Sequence, residues 1–234
     1  MLDFFSVKFF LRLMFFFLFG YSFLFSQEED SIRESVPVNF QPHRYSFRVD
    51  FAVPNPVNAA WRKSMVGVYE GNLTMNYHLP TGLFFGAGYK RNLFYTPPKF
   101  FIFDLKTKMQ MDVGYAQLGF DFHRKPGFFI SPILRGGWSL TSFSGVQCKS
   151  NPSTQVKPYQ SAFAEAVLQF NFLPDPDFGV TFFVSYAWVN QVWNPEYICL
   201  QDHISFDGIN KSAMSSYLNL GLGIYFGVGK LKKN

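Results

Sequence analysis

The sequence has few charged residues and, after its first 26 positions, no apolar run long enough for a membrane-spanning helix. Of its 234 residues, 16% are charged, whereas 21% are aromatic. A spanning helix needs roughly 20 consecutive apolar residues. The apolar side chains instead alternate with polar ones along the chain, which is typical of membrane-spanning β-strands.

Residues that carry chemistry are also scarce, with only four histidines and two cysteines. No nucleophile, base and orienting acid stand at a defined spacing, and the glycines match no phosphate-binding pattern. We therefore predict no catalytic residue, no cofactor, no metal and no nucleic-acid partner. His203, in a loop with Glu196, Asp202 and Ser205, leaves a lipid-modifying enzyme as an alternative.

The first 26 residues have the pattern of a secretory signal peptide. Lys8 and Arg12 precede the apolar run Leu13–Phe25, and Ser26 is small enough for the residue before the cut. An uncleaved membrane anchor is the alternative. Residues 27–43 are polar and predict a flexible lead-in, and residues 230–234 form a basic tail.

The stretch Met65–Asn92 shows the strand pattern best. From Met65 to Leu79 the odd positions are mostly apolar and the even positions mostly polar. This period of two indicates a strand with two different faces. Pro80, Thr81 and Gly82 then predict a tight turn before the alternation resumes at Leu83.

Eight such segments predict an all-β fold, an eight-stranded antiparallel up-and-down transmembrane β-barrel over residues 44–229. Short and long connections alternate, as in barrels with short periplasmic turns and long outer loops. In the fourth strand the apolar face switches near Gly114–Ala116, which predicts a bulge, and Pro132 interrupts the fifth strand. The predicted strands are Tyr45–Val53, Met65–Leu79, Leu83–Asn92, Met109–Phe122, Phe128–Ser142, Ser161–Phe172, Gly179–Val192 and Ala213–Val228.

The polar faces of these strands carry six charges that we expect to point into the lumen. In an antiparallel hairpin, the residue numbers of any two residues that face each other add up to the same value. Estimated loop centres therefore predict three cross-strand pairs, which would fill the lumen and make it a poor pore. The pairs are Arg48 with Glu70, Lys90 with Asp112, and Arg135 with Glu165. The alternatives are hydrated side chains around a water column, or a soluble lipocalin-like carrier with its apolar face inward.

The chain resembles the small outer-membrane barrels of the OmpA/OmpX type. The resemblance rests on the signal peptide, the strand count and the last strand, Leu218–Phe226, which ends in an aromatic residue. It implies a monomeric barrel in the outer membrane of a Gram-negative bacterium, acting in envelope integrity, adhesion or small-solute leakage. It also implies that the barrel-assembly machinery reads the last strand.

The long loops suggest three further features. Cys148 and Cys199 lie in the third and fourth loops, and an oxidising compartment favours a bridge between them, with two free thiols as the alternative. Exposed apolar segments at Phe100–Phe103 and Tyr197–Ile198 would suit a protein partner, so an accessory subunit of a larger complex stays open. Basic residues there are either a solvated face or contacts to lipopolysaccharide phosphates. They are Arg62, Lys63, Lys99, Lys106, Lys149, Lys157 and Lys211.

Overall fold

A computed structural model of the chain shows a closed β-barrel. It describes residues 43–97, 107–125, 127–146, 157–175, 177–194, 196, 199–200, 205, 207 and 214–230. The predicted signal peptide, nearly all of the lead-in and the end of the basic tail lie outside this part of the chain. Among the described residues no helix is long and apolar enough to cross a membrane.

Nine strands and one short helix make up the described chain. The strands are β1 His43–Pro56, β2 Val66–His78, β3 Leu83–Tyr95, β4 Lys108–Phe120, β5 Phe122–Lys125, β6 Phe128–Ser144, β7 Tyr159–Asp175, β8 Phe178–Val192 and β9 Met214–Lys230, and the helix is α1, Ala59–Ser64. Each predicted strand has a counterpart. The barrel begins at His43 and ends at Lys230, one residue beyond the expected bounds at each end.

Antiparallel pairing closes the sheet into eight positions around the barrel. Neighbours in the chain pair with each other, β4 pairs with β6, and β1 pairs with β9 from His43–Lys230 to Pro56–Tyr217. β5 continues β4, because both pair with β6 in one register. The predicted fold class is confirmed. We call the end with the long connections the loop end and the opposite end the turn end.

Pro132 lies where the sheet tolerates it. The pairing of β4 with β6 stops at Gly119 and Ile133 and resumes in β5 at Phe122 and Ile130. Pro132 falls inside this gap, so its missing N–H removes no ladder hydrogen bond there.

The strands alternate as the sequence indicates, with polar side chains inside and apolar side chains outside. In β1, Ser46, Arg48 and Asp50 are buried, whereas Phe47 and Phe51 are exposed. The most exposed large apolar side chains of the outer wall, Trp138 at 71% and Leu134 at 67%, lie on β6. A lipocalin-like barrel would have the reverse arrangement, so that alternative is wrong.

The predicted bulge in β4 is absent, because the inward face of this strand changes from apolar to polar without a change of register. Met109, Met111, Val113 and Tyr115 are buried in the lumen, although we expected them on the outside. The pairings of β4 with β3 and β6 run without a shift. A shift occurs instead in β2, between Gly67 and Tyr69.

The first long connection folds into the loop end of the barrel. The Asn58 side chain begins α1 by accepting hydrogen bonds from the backbone N–H groups of Ala60, at 2.9 Å, and Trp61, at 3.3 Å. Trp61 is fully buried against Phe94 and Tyr217, which line the lumen. The helix therefore covers the lumen at this end.

Candidate functional site: the barrel lumen

Five buried charged side chains form an ion-pair network across the lumen. Lys90 Nζ, on β3, lies 2.8 Å from each carboxylate oxygen of Glu165 and 3.1 Å from Glu70 Oε1. Arg135 Nη1 donates to Glu165 Oε2 at 3.1 Å, and Arg135 Nη2 lies 3.9 Å from Asp50 Oδ2. We call Asp50, Glu70, Lys90, Arg135 and Glu165 the luminal network. It joins strands on opposite sides of the barrel.

Neutral side chains hold the luminal network in place. Ser185 Oγ donates to Glu165 Oε1 at 2.6 Å, and Asn219 Nδ2 donates to the same oxygen at 3.3 Å. Gln117 accepts from Arg135 Nε at 3.0 Å, and Asn72 Nδ2 donates to Asp50 Oδ2 at 2.8 Å. Asp50, Arg135 and Glu165 are thus each held by neutral side chains, which favours one fixed arrangement.

The predicted pair of Arg48 with Glu70 is wrong. In the hairpin of β1 and β2, Arg48 lies opposite Thr74, and Glu70 lies opposite Ala52. β1 extends beyond its predicted end at Val53 to Pro56, and α1 occupies the connection to β2, so the hairpin centre moves along the chain. Glu70 contacts Lys90 instead.

Arg48 lies between two aromatic rings near the turn end. Its guanidinium carbon is 5.7 Å from the ring centroid of Phe84 and 5.4 Å from that of Tyr225. The side chain is buried, and its three nitrogens donate to none of the described residues. Its guanidinium therefore makes cation–π contacts with both rings, and its charge also acts on Asp50.

The predicted pair of Lys90 with Asp112 is also wrong, because Asp112 lies on the outer wall. The register of β3 and β4 sets Arg91 opposite Asp112 and Lys90 opposite Val113. Arg91 Nε donates to Asp112 Oδ1 at 2.6 Å. The third pair is the one that the structure brings together, since Arg135 lies directly opposite Glu165.

Aromatic side chains fill the lumen at the loop end. The Trp61 ring lies 4.9 Å from that of Phe94, 5.8 Å from Trp193 and 5.9 Å from Tyr217. Trp193 Nε1 donates to Ser64 Oγ at 2.9 Å, which fastens α1 to the fourth long connection. We call Trp61, Phe94, Trp193 and Tyr217 the aromatic cap. Sequence reasoning missed it, although Asn58 before Ala59–Ser64 is a recognisable helix start.

No protein-family model matches the sequence. No curated protein matches it either. Among solved structures, the chain resembles Neisserial surface protein A with a TM-score of 0.50 and 14% identity, over 79% of this chain and 97% of that one. OprG from Pseudomonas aeruginosa gives a TM-score of 0.47 and 14% identity, over 80% and 98% of the two chains. The attachment invasion locus protein of Yersinia pestis gives 0.45 and 12%, over 79% and 99%.

The chain has the fold of a small eight-stranded outer-membrane β-barrel. The resemblance predicted from the signal peptide, the strand count and the last strand is therefore confirmed at the level of fold. At these identities the likeness does not extend to a specific role.

The predicted lipopolysaccharide contacts fall partly on described residues of this barrel. Arg62 and Lys63 form the last turn of α1 at the loop end, and Arg62 and Lys157 are exposed. The Lys63 Nζ donates to the backbone carbonyl of Ser205. The remaining four, Lys99, Lys106, Lys149 and Lys211, lie outside the described residues.

Several other predictions also fall outside the described residues. Cys148 lies there, so its bridge to Cys199 stays a prediction. His203 and the apolar segments Phe100–Phe103 and Tyr197–Ile198 lie there too. The enzyme and accessory-subunit alternatives therefore rest on the sequence alone.

Proposed function

We propose that this protein is an outer-membrane barrel with a closed lumen, which serves the envelope as a structural or surface-interaction element and not as a pore. The observation that carries the proposal is the luminal network. Lys90 binds carboxylates from two different parts of the barrel wall, and all three side chains are buried.

The outer wall supports membrane insertion. Apolar side chains are exposed on every barrel strand, among them Phe51, Leu73, Leu134 and Leu222. A soluble protein rarely leaves so much continuous apolar surface in contact with water. Side chains of this kind instead match the hydrocarbon core of a bilayer.

Two layers oppose the passage of solutes. Removing one partner from a buried ion pair costs about 3–5 kcal/mol, so a solute that displaces Lys90 meets a large barrier. Beyond the luminal network, α1 and the aromatic cap fill the loop end. An eight-stranded barrel is only wide enough to be filled by its own side chains.

Conductance in planar bilayers tests the closed lumen. The wild-type chain should show little or no conductance, whereas the combined change Lys90→Ser with Glu165→Ser should raise it. Arg91→Ser is the matched control, because Arg91 follows Lys90 in the chain but lies on the outer wall. Steady wild-type conductance equal to that of the double variant would contradict a closed lumen.

Cell fractionation and gel mobility test the location. The mature protein should partition with the outer membrane and run at different apparent sizes before and after boiling. Recovery from the periplasm without detergent would refute membrane insertion.

The surface role that we propose is attraction to phosphorylated lipid at the loop end. Arg62 and Lys157 are exposed there, and guanidinium and ammonium groups pair readily with phosphate. Retention on lipopolysaccharide vesicles should fall with added salt and with the change Arg62→Ser plus Lys157→Ser. Equal retention of the wild type and the variant would mean that these cations are only solvated and do not bind phosphate.

We propose no catalytic role, and incubation with lipid vesicles should release no lipid products.

A further inference from the structure

Six buried side chains, related by hydrogen bonds, strand position and cross-strand pairing, link the luminal network to the aromatic cap. Lys90 Nζ donates to Glu70 and Glu165, and Asn219 Nδ2 donates to Glu165 Oε1 at 3.3 Å. Tyr217 lies two residues before Asn219 on β9, and its hydroxyl accepts from Asn92 Nδ2 at 3.1 Å. Asn92 in turn lies directly opposite Glu70. We call Glu70, Lys90, Asn92, Glu165, Tyr217 and Asn219 the luminal circuit.

Three oxygens of the luminal circuit lack a hydrogen-bond donor among the described residues. They are Glu70 Oε2, Asn92 Oδ1 and Asn219 Oδ1, and each of these side chains is 0% exposed. Buried polar atoms almost always have a partner, and an acceptor without one is costly. Three such acceptors within this one group of six side chains indicate a shared electropositive partner.

The charges of the luminal network favour the same conclusion. Its three carboxylates, on Asp50, Glu70 and Glu165, are compensated unequally by Lys90, Arg135 and the nearby Arg48. Glu70 is the least compensated, because its one cation, Lys90, also binds both oxygens of Glu165. Arg48 is the remaining luminal cation of β1. It is held between aromatic rings and donates to none of the described residues, but its charge acts on Asp50.

We propose that the luminal circuit binds a monovalent alkali-metal cation. Its ligands are the three unpartnered oxygens together with the hydroxyl oxygen of Tyr217. Carboxylate, amide and hydroxyl oxygens are hard ligands that suit alkali and alkaline-earth ions. Four protein oxygens are fewer than the 6–8 that Ca²⁺ takes. Glu70 shares its one hydrogen-bonded cation with Glu165, and a single positive charge would complete its compensation.

Thermal unfolding of the full chain, refolded in detergent, tests the proposal. Its midpoint is measured in lithium, sodium, potassium or choline chloride at one ionic strength. A ligand that binds only the folded state raises the midpoint with concentration. One alkali chloride should therefore raise the midpoint by several degrees over choline chloride and then saturate. Equal midpoints in all four salts would overturn the proposal.

Substitutions locate the effect. Glu70→Gln should abolish the dependence on the alkali ion, while Lys90 keeps its two contacts to Glu165. Gln169→Met is the matched control, because Gln169 is also buried with an unpartnered amide but lies outside the luminal circuit. It should leave the dependence intact. If Glu70→Gln does not fold, Asn92→Leu takes its place. The proposal is overturned if the unfolding midpoint still depends on the alkali ion in Glu70→Gln or Asn92→Leu. It is also overturned if that dependence disappears in Gln169→Met, because the ion would then bind elsewhere.

Anomalous diffraction from crystals grown in rubidium chloride separates a cation from water. A rubidium peak among the oxygens of Glu70, Asn92 and Asn219 is the expected result. Electron density there without anomalous signal would assign the position to water and refute the cation. A larger midpoint shift with millimolar calcium chloride than with any alkali chloride would refute the monovalent assignment.

Discussion

Lys90 and Arg91 are neighbours on β3 with opposite orientations, so they give a matched test of buried and exposed ion pairs. Lys90 is 0% exposed and has three contacts of 2.8 to 3.1 Å with Glu70 and Glu165. Lys90→Met leaves Glu70 without a cation in the lumen, and such a loss costs about 3–5 kcal/mol of folding free energy. Arg91 and Asp112 have side-chain exposures of 46% and 21%. Arg91→Met should therefore cost only about 0–1 kcal/mol.

Urea unfolding in detergent micelles measures both costs, with tryptophan fluorescence and the unboiled gel band as independent probes. A third variant tests whether the cost arises from the unpaired charge. Lys90→Met with Glu70→Gln removes one charge of each sign and leaves Glu165 with Arg135, which lies 3.1 Å away. This double variant should be more stable than Lys90→Met alone.

Two results would refute this reasoning. One is an equal loss of stability from Lys90→Met and Arg91→Met, which would mean that the lumen is as well hydrated as the outer surface. The other is a double variant that loses the sum of its two single changes, which would mean that Lys90 and Glu70 are not coupled.

Three further predictions follow from the packing and the loops. Trp61→Ala should cost about 3–5 kcal/mol in the same assay because it empties the centre of the aromatic cap, whereas Trp138→Ala on the outer wall should cost much less. Gly137→Ala should destabilise the barrel by about 1–3 kcal/mol, because a Cβ there would lie 2.1 Å from the Gly114 carbonyl oxygen, while Gly136→Ala meets nothing within 4 Å and should fold normally. Reducing and non-reducing gels should differ in mobility, and Cys148→Ser should abolish that difference; thiol labelling of both cysteines without reductant would exclude the bridge.

The strands were predictable from the sequence because the two sides of the barrel wall differ in chemistry. In β1, exposed Phe47 and Phe51 alternate with buried Arg48 and Asp50. This contrast determines both the period and the face of a strand. It fails for the loop-end half of β4, where Met111 is buried against the aromatic cap. An apolar side chain in this barrel can face either lipid or the cap, and the sequence does not distinguish the two.

Strand register was less predictable, because it depends on how many residues a connection uses. α1 lies within the connection of β1 and β2 and shifts their pairing, so Glu70 lies opposite Ala52 and not opposite Arg48. In the next long hairpin the estimated centre was one residue out, so Asp112 was set opposite Lys90, where Val113 lies. Asp112 itself is on the outer wall because the lumen face of this half of β4 is apolar. The pair of Arg135 with Glu165 was predicted correctly, although the loop ends of that hairpin were located only roughly.

The pairing of β1 with β9 has a consequence for how the barrel forms. Its first pair joins His43 to Lys230, so the contacts that complete the cylinder connect the two ends of the described chain. Contacts this distant in sequence are slow to form. Until they form, β1 and β9 each present a row of free backbone N–H and C=O groups, which can pair with any other strand edge. The barrel is therefore most prone to aggregate just before closure, and a factor that holds the β9 edge would protect it during that interval.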